Sequence, residues 1–340
     1  IISLNQNLSE LSALSSKVGK DATLVQGAGG NSSLKSYDDD TLWVKASGKW
    51  LADALEENIF VALRLSGIRR LMDENAVDPV TSMLIDVNAG LRPSIETTLH
   101  AILPHKVVFH VHSVAALSWL VRVDAESQLE KLLAGLKWAF VPYAKPGETL
   151  TKIVQAACEH NPDILLLGNH GLVVAGNSFE AAEDLLNLVE KRLSVSKRSA
   201  SDPDLAVLER ISKGTEFRPA KLHLTHAVAL DPYAYAVASK GTLYPDHVVF
   251  LGPSVFGLDI AMQNIPLDDL SIGNHRIILV EGKGVLIHDS VARGGEEMAL
   301  CLADVLLGTD EKAEIQYLSV EEEDELLNWD AEKYRQSLNS

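Results

Sequence analysis

The chain has 340 residues, of which 46% are apolar, and a formal net charge of −17. This length allows one large domain or two ordinary ones with a substantial core. The acidic balance argues against nucleic acid as a partner, because basic patches hold phosphate backbones. No apolar run approaches a membrane span and no signal peptide is recognised, so we expect no membrane partner.

The two cysteines, Cys158 and Cys301, lie far apart, and neither belongs to a CxxC pair. This usage argues for a reducing compartment, and against both a disulfide framework and a thiolate metal site. We therefore expect both cysteines to be core residues of a cytoplasmic protein.

The chain alternates short helical and strand-like patterns, as is typical of an α/β fold. Leucines at helical spacing predict a helix near the start, and a glycine-rich stretch follows it. β-branched runs bounded by turn residues predict strands, and amphipathic runs predict helices. The predicted helices are 4–19, 59–72, 95–103, 114–121, 148–160 and 179–193, and the predicted strands are 41–46, 106–111, 138–143, 164–167 and 172–175.

A segment of the second half repeats the end of the first half in weaker form. Residues 165–189 and 276–306 both read as strand, polar turn with glycine, strand, serine and helix. The second copy has Lys283 where the first has His170, so we interpret it as a degenerate repeat that lacks this metal ligand. The chain is thus predicted to have three parts: a metal-binding domain (1–200), a related α/β domain (201–318) and an acidic tail (319–340).

Two histidines on one predicted strand are the main chemical signal. His110 and His112, in the run VFHVHS, are two residues apart and point to the same face. Two adjacent buried imidazoles without a shared partner would be costly, which favours a metal over two ordinary polar residues. His170, in a tight turn, is the best third ligand, and catalytic zinc commonly takes three protein ligands. The other histidines are interpreted as structural or surface residues: His100, His105, His160, His223, His226, His247, His275 and His288.

Glu96 lies in the first turn of the helix that Pro93 and Ser94 begin, and this helix leads into the His110 strand. The ordinary interpretation is a carboxylate that suits the helix dipole. The alternative is an acid/base beside a metal, where a carboxylate takes a proton from a carbon next to a carbonyl.

The glycine-rich stretch 27–32 does not fit the dinucleotide fingerprint GxGxxG, because Ser32 stands at the last glycine position. We therefore expect no NAD. The alternative is a loop whose backbone amides and Asn31 side chain hold an anion, with further donors from Ser47-Gly48 and from Ser94. Each could equally be an ordinary turn, but three such loops around one candidate metal site favour a phosphate or carboxylate ligand.

Together these segments resemble the class II aldolase/adducin family, the zinc-dependent sugar-phosphate aldolases. The likeness covers about the first 200 residues. The segments that match the family are Gly30-Asn31, Ser47-Gly48, Pro93-Ser94-Ile95-Glu96, His110-Val111-His112 and Asn169-His170-Gly171. The runs LWVKASG (42–48), RPSIET (92–97) and DPYAYAVASKGTLYPDHV (231–248) are similar to the aldolase half of fused rhamnulose-1-phosphate aldolase/short-chain dehydrogenase proteins.

The resemblance implies a three-layer α/β/α fold with a mostly antiparallel central sheet. It implies that His110, His112 and His170 bind Zn²⁺, or Mn²⁺ or Fe²⁺ in its place. The implied reaction cleaves a ketose 1-phosphate of the rhamnulose or fuculose type to dihydroxyacetone phosphate and an aldehyde. The metal would stabilise the enediolate and Glu96 would be the acid/base. The phosphate would be held by Gly30, Asn31, Ser47, Gly48 and Ser94.

Other functions share this fold. Family members also epimerise, dehydrate or decarboxylate sugar phosphates, since enolate stabilisation at a metal serves all of these reactions. Adducin-like members are interaction proteins that lack the zinc histidines, so His110, His112 and His170 count against that function. The resemblance further implies a homo-oligomer, usually a tetramer, with a small sugar phosphate as its ligand.

Overall fold

The structure, a computed structural model, describes residues 2–86, 90–145, 148–253, 255–328 and 333. Backbone contacts divide the chain into two compact units, Ile1–Ala116 with Glu126–Ser194, and Leu117–Ala125 with Val195–Ser340. The three-part division of the sequence stays a prediction. No helix within the described ranges is both long enough and apolar enough to cross a lipid bilayer.

A seven-stranded sheet lies at the centre of the first unit. Its strands are β1 (Asn31–Ser36), β2 (Thr41–Lys45), β3 (Phe60–Arg64), β4 (Val107–Val111), β5 (Trp138–Val141), β6 (Ile164–Leu167) and β7 (Gly171–Gly176). They lie in the order β3-β2-β1-β4-β7-β6-β5, and every neighbouring pair is antiparallel except β5 and β6. The predicted mostly antiparallel central sheet is therefore confirmed.

Helices pack on both faces of this sheet. Those of the first half of the chain are α1 (Ile2–Gly19), α2 (Leu65–Asp73), α3 (Thr97–Ile102), α4 (Val114–Leu120), α5 (Ala125–Leu132), α6 (Glu148–Ala157) and α7 (Phe179–Leu193). Side chains of α3 and α6 join one buried cluster with Val108 and Leu165. Strand side chains alternate, so Phe109 points to the opposite face. There α1 and α7 contact each other and the strands β1, β4 and β7. The three-layer α/β/α arrangement is confirmed.

One predicted element is wrong. Residues 59–72 were expected to form a single helix, but the structure has β3 followed by α2. β3 pairs with β2 along its whole length, from Thr41 opposite Arg64 to Lys45 opposite Phe60. The periodicity of a short apolar run does not distinguish a helix from a strand. Pairing with β2 therefore decides that residues 60–64 form a strand.

The second unit contains a four-stranded sheet. Its strands are β8 (Phe217–Pro219), β9 (Phe256–Leu258), β10 (Ile277–Val280) and β11 (Gly284–His288). They lie in the order β8-β11-β10-β9, with β9 and β10 parallel and the other pairs antiparallel. The helices of this part are α8 (Leu205–Ser212), α9 (Ala227–Leu230), α10 (Pro232–Ala238), α11 (Pro245–Leu251), α12 (Arg293–Gly308) and α13 (Val320–Asn328).

The second sheet repeats part of the first. The order β8-β11-β10-β9 reproduces β4-β7-β6-β5, including the position of the one parallel pair. The hairpin turns also agree, because Asn169 and Gly282 both have positive φ, 50° and 66°. His170 follows the first and Lys283 follows the second. The predicted degenerate α/β repeat is thus confirmed.

The two turns differ in their chemistry. Lys283 Nζ lies 3.0 Å from Asp204 Oδ2, and Asp204 is the residue that caps α8. In the first unit His170 Nε2 lies 3.2 Å from Oε1 of Glu96, the residue that precedes α3. A lysine–carboxylate ion pair therefore occupies the place of the histidine–carboxylate pair. The metal-ligand cluster found among the described residues lies in the first unit only.

Lys35 is a buried lysine in the middle of the first sheet. Its side chain lies in β1, is 1% exposed and donates from Nζ to the carbonyl oxygen of His105 at 2.9 Å. Burial, with a smaller effect of the nearby Arg69 charge, lowers the pKa of Lys35 to about 7. The ammonium therefore loses its proton far more readily in the folded protein than in the unfolded chain.

We expect the stability of the protein to rise with pH above about 7, because the folded protein holds Lys35 in its neutral form. Between pH 7 and its ordinary pKa the unfolded chain binds more protons, so the free energy of unfolding should rise by up to about 1.4 kcal/mol per pH unit. Urea unfolding at about pH 7, 8 and 9 measures this slope. This rise should be absent in Lys35→Met. It should remain in the control Lys20→Met, because Lys20 is exposed. Equal slopes in wild type and Lys35→Met would contradict the prediction.

Candidate metal centre

Strand register brings the first candidate residues together. β4 lies between β1 and β7, with Asn31 opposite His110 and His110 opposite Val173. Gly30 has φ of 63°, and a Cβ there would lie 2.8 Å from the His110 carbonyl oxygen. Glycine is therefore needed where β1 starts beside the histidine strand.

The hydrogen bond of His110 determines which ring nitrogen is available. His110 Nδ1 lies 3.2 Å from the carbonyl oxygen of Leu172, which can only accept, so Nδ1 carries the proton. Burial lowers the pKa of His110 to about 3, so the ring is neutral near pH 7 and Nε2 is a bare acceptor. That Nε2 lies 3.2 Å from Nε2 of His112. A cation bound near both atoms would use both lone pairs.

The turn between β6 and β7 supplies the third histidine. Asn169 adopts left-handed φ, and His170 N donates to the Leu167 carbonyl oxygen at 3.0 Å. A Cβ on Gly171 would lie 3.1 Å from His110 Cε1 and 2.5 Å from the Val111 carbonyl oxygen. Only glycine lets this turn approach β4 so closely, and this approach places His170 beside the other two rings.

Glu96 completes the cluster. Its Oε1 lies 3.2 Å from His170 Nε2 and its Oε2 lies 3.5 Å from His110 Nε2. Burial would raise the pKa of Glu96, but the nearby His110, His170 and His112 outweigh it and hold the pKa well below its usual value. The carboxylate is therefore ionised beside the three imidazoles.

These residues fit a divalent metal ion. All three histidines are buried, and one possible ligand atom from each lies within 4.8 Å of the others. Within the described part of the chain, buried His170 Nδ1 has no hydrogen-bond partner. Three imidazoles near a carboxylate suit Zn²⁺, Mn²⁺ or Fe²⁺. His110, His112 and His170 would hold the ion.

The candidate anion-binding segments also come together. Lys45 Nζ donates to the carbonyl oxygens of Ala28 and Lys49, which ties the glycine-rich loop to the Ser47-Gly48 turn. Ser94 N donates to the Lys45 carbonyl oxygen at 3.2 Å. The Ser94 hydroxyl oxygen accepts from Asn31 Nδ2 and from the Glu96 backbone, which leaves its own hydrogen unused by those two bonds.

Several donors of these segments already have protein partners. Ser47 N donates to the Arg92 carbonyl oxygen at 2.8 Å. Asn31 Nδ2 donates to Glu96 Oε2 at 2.7 Å as well as to Ser94. Phosphate binding by Gly30, Asn31, Ser47, Gly48 and Ser94 stays a prediction, and the contacts of Asn31 connect it directly to Glu96.

His100, interpreted from the sequence as a structural or surface residue, is buried next to this cluster. It is fully buried, with Nδ1 2.7 Å from the Ser33 hydroxyl and Nε2 hydrogen-bonded to Asn31 Oδ1. The signal was its spacing from Glu96, because residues four apart on a helix share a face.

Residues 9–196 match the family model described as Class II Aldolase and Adducin N-terminal domain. The chain belongs to this family. Members of the class II aldolase family typically depend on a divalent metal, and most are enzymes, among them aldolases and dehydratases. The histidine cluster and Glu96 all lie within the matched residues.

Two curated relatives and one solved structure illustrate the similarity. The uncharacterized oxidoreductase YuxG of Bacillus subtilis (strain 168) is 36% identical over 192 residues, 52% of this chain and 27% of that protein. Methylthioribulose-1-phosphate dehydratase of Microcystis aeruginosa (strain NIES-843 / IAM M-2473) is 30% identical over 185 residues, 48% of this chain and 82% of the dehydratase. The N-terminal class II aldolase domain of a conserved Thermoplasma acidophilum protein is 30% identical, with a TM-score of 0.48, over 55% of this chain and 92% of that one. The chain thus spans just over a quarter of the first relative.

We expect the purified protein to bind about one divalent ion per chain, as a three-histidine site predicts. His110→Ala should lower the bound metal well below this ratio, because it removes a ligand from the cluster. Elemental analysis after loading with zinc and gel filtration measures the ratio. The matched control is His160→Ala, which changes an exposed histidine and should keep the metal. Equal metal content in the two variants would contradict the assignment.

Proposed function

We propose that this chain is a divalent-metal-dependent aldehyde-lyase. Its proposed reaction cleaves a ketose 1-phosphate of the rhamnulose or fuculose type into dihydroxyacetone phosphate and an aldehyde. The observation that carries the proposal is the buried Glu96 carboxylate within 3.5 Å of two histidines of a three-histidine cluster. A carboxylate beside a metal suits proton transfer at the carbon next to a carbonyl.

The histidines and Glu96 have different roles in the proposed reaction. A metal held by His110, His112 and His170, when bound, would polarise the substrate carbonyl and stabilise the negative charge that develops there. In the condensation direction Glu96 takes a proton from the hydroxymethyl carbon of dihydroxyacetone phosphate. In cleavage the substrate hydroxyl that becomes the aldehyde carbonyl gives up its proton, and Glu96, protonated in turn, delivers a proton to the hydroxymethyl carbon after the carbon–carbon bond has broken. Burial excludes water from the carboxylate, which keeps the proton transfer directed at the substrate.

The phosphate is the second element of the proposal. Gly30, Asn31, Ser47, Gly48 and Ser94 would hold it. The contacts described above leave the hydroxyl hydrogen of Ser94 available, whereas the side-chain amide of Asn31 already donates to Glu96 and Ser94. The resemblance puts Ile95 where fuculose-type enzymes have a second serine, so one phosphate donor is missing. We expect weaker dependence on the phosphate group than in enzymes with both serines.

Dehydration is the second candidate reaction. It is supported by the 30% identity to methylthioribulose-1-phosphate dehydratase, of which the chain covers 82%. A dehydratase removes a proton next to a carbonyl and then loses a hydroxyl group, so the same carboxylate and metal would serve. Epimerisation and decarboxylation use the same charge stabilisation. An adducin-like interaction role has less support, because the buried histidine cluster is complete.

The proposal also includes the cellular compartment and the oligomeric state of the protein. We expect a cytoplasmic homo-oligomer, a tetramer by family resemblance. The unpaired Cys158 and Cys301 agree with a reducing compartment. Sedimentation of the full chain measures the oligomeric state.

A panel of ketose 1-phosphates and methylthioribulose 1-phosphate separates the candidate reactions. Release of dihydroxyacetone phosphate supports the aldolase, whereas a dehydrated product with no aldehyde supports the dehydratase. The unphosphorylated ketoses in the same panel measure the dependence on phosphate. Absence of turnover on every member with the metal-loaded protein would contradict both reactions.

Glu96→Gln tests the acid/base. The amide cannot accept the proton, so turnover should fall by at least about 100-fold. Metal content should stay unchanged, because the three histidines are intact. If Glu96→Gln keeps wild-type turnover, Glu96 is not the acid/base.

A further inference from the structure

A buried chain of hydrogen bonds leads from β1 through α3 to Glu96. His100 Nδ1 lies 2.7 Å from the Ser33 hydroxyl, and its Nε2 is bonded to Asn31 Oδ1. Asn31 Nδ2 in turn lies 2.7 Å from Glu96 Oε2. Every one of these side chains is buried. None of these four residues is a candidate metal ligand, and Glu96 contacts two of the ligands, His110 and His170.

The donor and acceptor of each bond follow from chemistry. Asn31 Nδ2 donates to Glu96 Oε2, so the Asn31 amide presents its nitrogen to the carboxylate and its oxygen to His100. An amide oxygen also only accepts, so His100 must carry its proton on Nε2. Burial, with the Lys35 charge as a smaller cause, lowers the pKa of His100 to about 3. The ring is therefore neutral, and Nδ1 accepts from the Ser33 hydroxyl.

This arrangement leaves Asn31 with one orientation. Its two amide hydrogens go to Glu96 Oε2 and to the Ser94 hydroxyl oxygen at 3.2 Å, and its oxygen is bonded to His100. A rotation of the amide by half a turn would set its oxygen against the carboxylate, and would also set two N–H groups against each other. His100 protonated on Nε2 therefore opposes that rotation, together with the Glu96 carboxylate.

The two oxygens of Glu96 are thereby distinguished. Oε2 accepts the Asn31 hydrogen bond, whereas Oε1 faces His170. A carboxylate held by one oxygen keeps its second oxygen at a defined position. Proton transfer at the substrate carbon requires such a position, because a displacement of about 1 Å can cost 100-fold in rate.

We propose that His100 is a positioning residue for Glu96, acting through the amide of Asn31, and that Glu96 Oε1 is the oxygen that exchanges the proton with substrate. The part that concerns turnover rests on the proposed function. The part that concerns Asn31 does not, because the orientation of its amide is a property of the protein alone. The two parts therefore have separate measurements.

A matched pair of variants tests the proposal. Glutamine at position 100 places its amide nitrogen near that of Nε2, so His100→Gln keeps the donor to Asn31. Asparagine is shorter and reaches only the Ser33 side, so His100→Asn loses that donor. Both substitutions are polar amides at the same buried position. We expect kcat to fall by about tenfold to 100-fold in His100→Asn with little change in KM, and to stay within about threefold of wild type in His100→Gln.

His105 provides the control for general damage to this region. It is buried in the same part of the first unit, and its Nε2 lies 2.8 Å from Asp163 Oδ1, remote in bonding from Glu96. His105→Asn should keep wild-type kcat even if its thermal stability falls as far as that of His100→Asn. Metal content should be unchanged in all three variants, since the ligands are intact.

Nuclear magnetic resonance of the metal-free full chain supplies the readout that is independent of activity. The Asn31 side-chain amide hydrogens should exchange slowly with solvent in wild type and in His100→Gln, and much faster in His100→Asn. Long-range coupling spectra should show His100 protonated on Nε2. Equal Asn31 exchange in His100→Asn and wild type would overturn the positioning role. So would an equal loss of kcat in His100→Gln and His100→Asn at equal stability. If no substrate is turned over but Asn31 exchange changes as expected, the proposed reaction fails while the role of His100 stands.

Discussion

The register of three neighbouring strands is the constraint on which the site depends. β4 lies between β1 and β7, and this puts Asn31 opposite His110 and His110 opposite Val173. Two glycines permit this close packing, because a Cβ at Gly30 or Gly171 would collide with the backbone of β4. A shift of β4 by one residue would turn His110 to the other face of the sheet, and would displace His112, which follows the strand. The strand register that packs the sheet therefore also brings the residues of the site together.

The buried charge of the site would be balanced by a divalent ion held by the three histidines. Glu96 is an ionised carboxylate in the interior, and the imidazole of His110 beside it is neutral because burial opposes its protonation. A buried negative charge without a cation is costly, so a bound divalent ion would stabilise the unit as well as act on substrate. We infer that metal removal and loss of stability are coupled in this family member.

The degenerate repeat carries a partly exposed ion pair at the corresponding turn. In the second unit the residue after the left-handed turn is Lys283, whose ammonium lies 3.0 Å from Asp204. The positive charge at this turn is thus supplied by a side chain of the protein. The strand order agrees between the two units, whereas the histidine cluster found among the described residues lies in the first. The two units therefore share a strand order but not a set of site residues, and a shared fold does not by itself imply a shared function.

Much of the fold and the centre of the site were predictable from local patterns. The spacing of His110 and His112 placed both imidazoles on one strand face, and the turn residues around His170 predicted a rigid hairpin. The repeat was visible because periodicity and turn residues recur together. Residues 59–72 were predicted wrongly, because the pairing of β3 with β2 is a contact between distant segments that no local pattern contains.

The partners of each polar atom were decided by the tertiary structure. Nothing in the sequence shows that Asn31 bonds Glu96 and His100, since these residues come from separate segments and meet only when β1 packs beside β4 and under α3. The sequence by itself determined which residue types were available and on which face each would lie. The tertiary structure decided which of them meet, because hydrogen bonds and burial depend on distances between segments remote along the chain.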